Sequence, residues 1–130
     1  MSNSKNIWGK LVDICKTMHE LMYVNKNLKR AAKMLPSLER LIVQLPVDDE
    51  SVIGAEALAL FHELRDDLQQ AIKYRMREVE KMEWLIQDLL ENIHNPIATE
   101  AVLRSRSLND LKSRWRIIFE LEQKLNKNVA

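Results

Sequence analysis

Side chains suited to metal or nucleophilic chemistry are sparse in this 130-residue chain, which holds three histidines and one cysteine. Glu91 and His94 stand three residues apart. At that spacing a carboxylate and an imidazole leave one helical turn toward a shared metal in carboxylate-bridged di-metal bundles. Such sites need the pair twice with further carboxylates, and here it occurs once, beside Pro96. The expectation is a histidine at a helix end and no metal. His19 and His62 are each followed by glutamate, but adjacent residues leave a helix on different sides, so neither forms a metal pair. Cys15 has no second cysteine to bridge and lies beside an apolar stripe, the place of a small buried hydrophobe in a reducing compartment. There is no glycine-rich phosphate loop, Gly-x-Ser-x-Gly turn, Cys-x-x-Cys pair or His-Glu-x-x-His helix. No catalytic residue, cofactor or small-molecule substrate is expected.

Cationic side chains carry the other recurrent pattern. Lys26, Lys29, Arg30 and Lys33 return at three- and four-residue steps, and Arg104, Arg106, Lys112, Arg114 and Arg116 gather around Trp115. Helices so decorated can run along phosphates, with an affinity that falls steeply in salt. Neither group has a nucleic-acid-binding signature or aromatics interleaved for base stacking. Polyanion binding through Lys26, Lys29, Arg30, Lys33, Arg104, Arg106, Arg114 and Arg116 therefore stands second to protein binding. Charge is segregated along the chain: eight Lys and Arg against three Asp and Glu in residues 1–45, five against twelve in 46–93, seven against four in 94–130. Segments of opposite sign that fold onto one another would satisfy these charges internally.

The elements that must position these residues follow from composition. Two Gly, three Pro and 46% hydrophobic residues leave few turns and material for one helical domain over 1–130, with frayed ends at 1–4 and 128–130. A first helix is expected from Ser4 to Met34 or Leu35, where Pro36 kinks it into a short helix ending at Leu45. Pro46 through Ser51 reads as the clearest loop, its carboxylates suited to a helix entrance. No proline interrupts residues 51–93, so one helix about 60 Å long is expected there, closed by His94-Asn95-Pro96. Its apolar stripe calls for a hydrophobe at Arg75, where either the stripe shifts or an arginine interrupts it. Thr99 or Ser107 can cap a last helix ending near residue 127. The fold class is all-α: an elongated antiparallel bundle with coiled-coil-like packing, three long helices plus one short helix after a proline kink.

Ile7, Leu11, Ile14, Met18, Leu21, Asn25, Leu28, Ala32 and Leu35 keep an unbroken 4-3-4-3 spacing, with Asn25 at a position where a buried amide selects one alignment and strand number. Ile7, Trp8, Leu11, Ile14, Met18, Leu21, Asn25 and Leu28 are thus the expected interface, to a protein partner or a second copy. Trp8, Trp84 and Trp115 lie at or near apolar stripes and are expected in the core; one left exposed would be a binding anchor. No run approaches the roughly 18 apolar residues of a membrane span and no signal-peptide core is visible, so a cytoplasmic location is expected. The function expected is a non-enzymatic protein–protein interaction module, a scaffold, adaptor or regulator that self-associates as a homodimer, with a nucleic-acid-binding regulator as the alternative.

Overall fold

The computed structural model describes the backbone of residues 3–91 and 96–129, and the side chains of 6–88, 91 and 108–127. Helix α1 spans Asn3–His19 and runs into a π-helical turn, Glu20–Val24; α2 spans Leu28–Lys33, α3 Leu35–Gln44, α4 Val52–Leu64, α5 Leu68–Glu91 and α6 Pro96–Val129. The protein is all-helical, six α-helices packed against one another, with no strand among the described residues.

The first expected helix is broken before Pro36. The π turn winds the chain with an extra residue, Asn25 donating its N–H to Glu20 O at 2.8 Å, and Lys26 then takes a left-handed φ of 54°. Asn27 starts α2 by accepting the Arg30 N–H at its Oδ1, 3.1 Å away. Asparagines on both sides of Lys26 favour such local bonds over continued helix, which explains the break. The expected kink at Pro36 is present, with the turn at Met34 and the proline in the first turn of α3. Ser51 caps α4 as expected for the end of the 46–51 loop, its Oγ accepting the Gly54 N–H at 3.0 Å.

The expected rod over 51–93 does not exist. Residues 65–67 divide it into α4 and α5, and the chain doubles back there so that the two halves pack on each other. Asp66 sits at φ 60°, with its N–H on Glu63 O at 3.2 Å and the Asp67 N–H on His62 O at 2.9 Å. This pairing closes a helix around a left-handed residue, a role short polar side chains tolerate. The last helix also departs from expectation, since α6 begins at Pro96 and runs through Thr99 and Ser107 without a break. The expected caps at Ser4, Thr99 and Ser107 concern side chains outside the described residues, as does the 92–95 connection.

One cluster of the core joins Leu11, Ile14, Cys15, Met18, Leu21 and Met22 to Ala31, Leu38, Ala57 and Leu60. A second joins Leu68 and Ala71 of α5 to Ile117 and Leu121 of α6, with Tyr23 packed against both clusters. Each buried leucine contributes about 1.5–3 kcal/mol of transfer free energy. The π turn thus does more than end α1. It places Tyr23 between the two halves of the core.

Candidate functional site

The most concentrated polar chemistry of the chain lies between the two clusters. Arg75, at the position where the α5 stripe calls for a hydrophobe, is fully buried. Its Nε and Nη2 donate to the two Glu63 oxygens at 2.6 and 3.0 Å, and its Nη1 donates to Glu78 Oε1 at 2.8 Å. Arg114 of α6 continues the chain of bonds, Nε to Glu78 Oε2 at 3.1 Å and Nη2 to Glu56 Oε2 at 2.8 Å. Tyr23 closes the other end, donating its hydroxyl to Glu63. Glu63 comes from α4, Arg75 and Glu78 from α5, Arg114 from α6 and Tyr23 from the π turn. A single network therefore ties four parts of the fold in one register.

Three carboxylates face two guanidinium groups here, and burial sets the balance. Burial works against the charge of Arg75, but Glu63 and Glu78 outweigh it and hold the guanidinium protonated well above its ordinary range. Glu56 is pushed up by burial and by Glu78, with Arg75 and Arg114 pulling the other way. Tyr23 is raised by burial and then by the Glu63 charge, so it stays a donor. Burial also raises the Cys15 thiol, with Glu56 adding to the rise, as befits an inert core residue. His19 stacks at a tilt on Tyr23, ring centroids 5.3 Å apart, and its buried Nδ1 has no hydrogen-bond partner among the described residues. Burial, helped by Arg114 and Arg75, lowers its pKa to about 4, so the ring is neutral at pH 7.

His62 has a different setting. It stacks on Tyr74 with centroids 5.5 Å apart and lies 3.6 Å from Asp67, while burial pulls its pKa down against that carboxylate. No group of three or more His, Cys, Asp or Glu among the described residues is placed to hold a metal. His94 of the Glu91-x-x-His94 spacing lies outside them. No helix of the described residues is long and apolar enough to cross a membrane.

The expected interface residues separate into two sets. Leu11, Ile14, Met18 and Leu21 are buried in the chain's own core, and Ile7 is half-buried, so the seam packs within one chain as far as the π turn. Beyond it the helix breaks at residues 25–27, around the left-handed Lys26, leaving Asn25 exposed and Leu28, at the start of α2, 59% exposed. Asn25 is no buried amide. The buried polar group is Arg75, legible in the sequence only as an interruption of the α5 stripe.

The basic residues also divide. Lys26, Lys29, Arg30 and Lys33 are exposed, and none is in an ion pair among the described residues. Arg114 is not available to a polyanion, being taken up by Glu56 and Glu78. Arg116 is exposed, and the side chains of Arg104 and Arg106 lie outside the described residues. Among the described residues, internal pairing of the segregated charges is confined to the middle and last segments, as in Arg114 with Glu56 and Lys124 with Asp66 at 3.3 Å.

The tryptophans reverse their expected place. Trp8, Trp84 and Trp115 are all exposed, Trp84 to 74%, and Leu108 and Phe119 join Trp115 on the outward face of α6. No protein-family model matches the chain, and no curated protein or solved structure matches it.

Proposed function

We propose that this protein is a non-enzymatic interaction module, an antiparallel helical bundle with coiled-coil-like packing that binds a protein partner or itself through the outer faces of α5 and α6. The observation that carries the reading is the exposure of Trp84, Leu108, Trp115 and Phe119 on two helices that pack together, while the core is completed without them. Aromatic anchors of this kind dominate interface energies, and they are costly to leave in water. The buried network supports the same reading. It holds α4, α5 and α6 in one arrangement and so keeps the outer faces in place, with its acids and bases paired to one another rather than aimed into an open cleft.

The test is a comparison of wild type with Trp84→Ala/Trp115→Ala/Phe119→Ala. Wild type should associate, with itself by sedimentation or with a defined host protein by titration, and the triple variant should lose that association while keeping its helical circular dichroism. Equal association by both proteins would refute the reading. A nucleic-acid-binding regulator remains the second reading because the Lys26, Lys29, Arg30 and Lys33 face is exposed and unpaired. It requires salt-sensitive binding to a mixed-sequence oligonucleotide that Lys29→Glu/Arg30→Glu/Lys33→Glu removes.

A further inference from the structure

The outward arcs of α5 and α6 differ in charge as well as sharing exposed apolar groups. Along α5 the arc carries Met76, Glu80, Glu83, Trp84 and Gln87, on successive turns three or four residues apart, with adjacent Glu83 and Trp84 at its two edges. Trp84 stands in a shallow hollow of about 420 Å³ lined by Glu80, Glu83, Gln87, Asp88 and Glu91. The basic residues of this stretch are held by carboxylates of the same chain: Arg77 donates to Asp49 at 3.0 Å and to Glu80 at 2.9 Å, and Lys81 reaches Glu50 at 3.6 Å. On α6 the outward arc carries Leu108, Lys112, Trp115, Arg116 and Phe119, again on successive turns, with adjacent Trp115 and Arg116 at its two edges. Glu83, Lys112 and Arg116 are in no ion pair among the described residues. Glu80 has only Arg77, in an exposed pair.

We propose that the occupant of the α5 face is the α6 face of a second copy of this chain. The proposal rests on the interaction-module reading and names its partner. Laid antiparallel with Met76 against Phe119, equal steps along two helices bring Glu80 to Trp115 and Arg116, Glu83 to Lys112 and Gln87 to Leu108. Trp84 then falls at the level of Leu111, between Leu108 and Lys112, within reach of an apolar contact with Leu108 and a cation–π contact with Lys112. Met76 meets Phe119, and Glu83, Lys112 and Arg116 each face a group of opposite charge. Glu122 lies beyond Phe119 and outside this overlap. Pairing α5 with α5 would set Glu80 and Glu83 against carboxylates, and like charges across an interface cost several kcal/mol. Charge therefore selects the α5-to-α6 arrangement over the α5-to-α5 one. A reciprocal contact, α5 on α6 and α6 on α5, makes a closed dimer.

Two charge-reversed proteins test this together. Glu80→Lys/Glu83→Lys makes both faces basic, and Lys112→Glu/Arg116→Glu makes both acidic. Analytical ultracentrifugation of wild type should show a concentration-dependent dimer that weakens as salt is raised. Each variant alone should dissociate about a hundredfold more readily or remain a monomer, and an equimolar mixture should recover a one-to-one complex. Recovery in the mixture is a result that misfolding cannot imitate. The single exchanges Glu83→Lys and Lys112→Glu, at side chains that pair with nothing, keep the test open should a double variant fail to fold. A wild type that stays monomeric throughout overturns the proposal, while binding of a different protein to the same face would leave the interaction-module reading intact. Variants that self-associate like wild type also overturn it, since the contact would then lie elsewhere.

Discussion

Replacing Arg75 with methionine should destabilise this protein about as much as truncating a core side chain, although methionine is itself apolar. Methionine fits the volume and the stripe but leaves Glu63 and Glu78, whose side chains are 2% and 0% exposed, without their shared cation. Removing one member of a buried ion pair costs about 3–5 kcal/mol, because the remaining charge stays desolvated. Here the loss falls toward the lower end of that range, since Glu63 keeps the Tyr23 hydroxyl and Glu78 keeps Arg114. Three kcal/mol is a large share of the roughly 5–15 kcal/mol that stabilises a domain. With a urea slope of about 1.5 kcal/mol per molar it moves the midpoint by about 2 M. Adding Glu63→Gln and Glu78→Gln to Arg75→Met should restore at least half of the loss, because no stranded charge is left. Denaturation followed by circular dichroism decides the matter. A loss below about 1 kcal/mol for Arg75→Met, or a triple variant less stable than the single, would refute the account of the network.

Other exchanges probe its surroundings. Gly54→Ala should destabilise by about 1–3 kcal/mol in thermal melts, since its Cβ would collide with the Asp48 carbonyl oxygen and crowd the Ser51 cap. Asn25→Leu should change stability by no more than about 0.5 kcal/mol and leave the oligomeric state unaltered, because the side chain is exposed. Leu60→Ala, at a fully buried α4 position, should cost about 2–5 kcal/mol in chemical denaturation. His19 makes stability depend on pH. Its folded pKa, lowered to about 4 from 6.5, means that the unfolded chain binds the extra proton between those values, so stability is lost as pH falls through that window. Solvent screening of a half-buried ring reduces the effect to about 1–2 kcal/mol. Glu56, raised by burial, acts with the opposite sign, so the quantity to measure is the difference in slope between wild type and His19→Gln. Equal slopes would show that the ring is not desolvated.

Helix content, the loop at 46–51 and the buried face of α1 and the π turn from Leu11 to Leu21 are legible because each depends on local spacing alone. Proline marks the break at Pro36 for the same reason. The turn at 65–67 is hidden because its left-handed residue is an aspartate rather than a glycine. Arg65-Asp66-Asp67 reads equally well as a solvated helical face, and the stripe of Leu64, Leu68 and Ile72 runs through it unbroken. Two features could have disclosed it: Asp67 as a cap for α5, and Asp66 as a short polar residue able to close α4. The π turn hides for a related reason. One extra residue of winding leaves no compositional trace, and the helix break that follows it at residues 25–27 takes Asn25 and Leu28 out of the seam. The Arg75 network needs both corrections before it can be seen. Only when α4 and α5 are folded on each other does Glu63 meet Arg75, and only the π turn brings Tyr23 to Glu63.

Asn25 and Arg75 pose the same question in different places: why keep a polar group where packing favours a hydrophobe. A buried amide in a two-stranded seam selects its partner strand, whereas Arg75 selects among the helices of its own chain. It holds carboxylates from α4 and α5, and Glu78 passes the register on to Arg114 of α6. An apolar substitute throughout the network would pack without specifying which neighbours lie where, and α4, α5 and α6 carry apolar stripes that can slide. Loss of register would matter most at the surface. A slip of one helical turn, about 5.4 Å, would carry Glu83 past the level of its neighbours on α6 and disrupt the outward arrangement of charge and aromatic groups. On the proposed interaction function, buried charge and exposed tryptophan are two ends of one requirement: the interior gives up apolar packing so that the outer faces of α5 and α6 hold a fixed alignment.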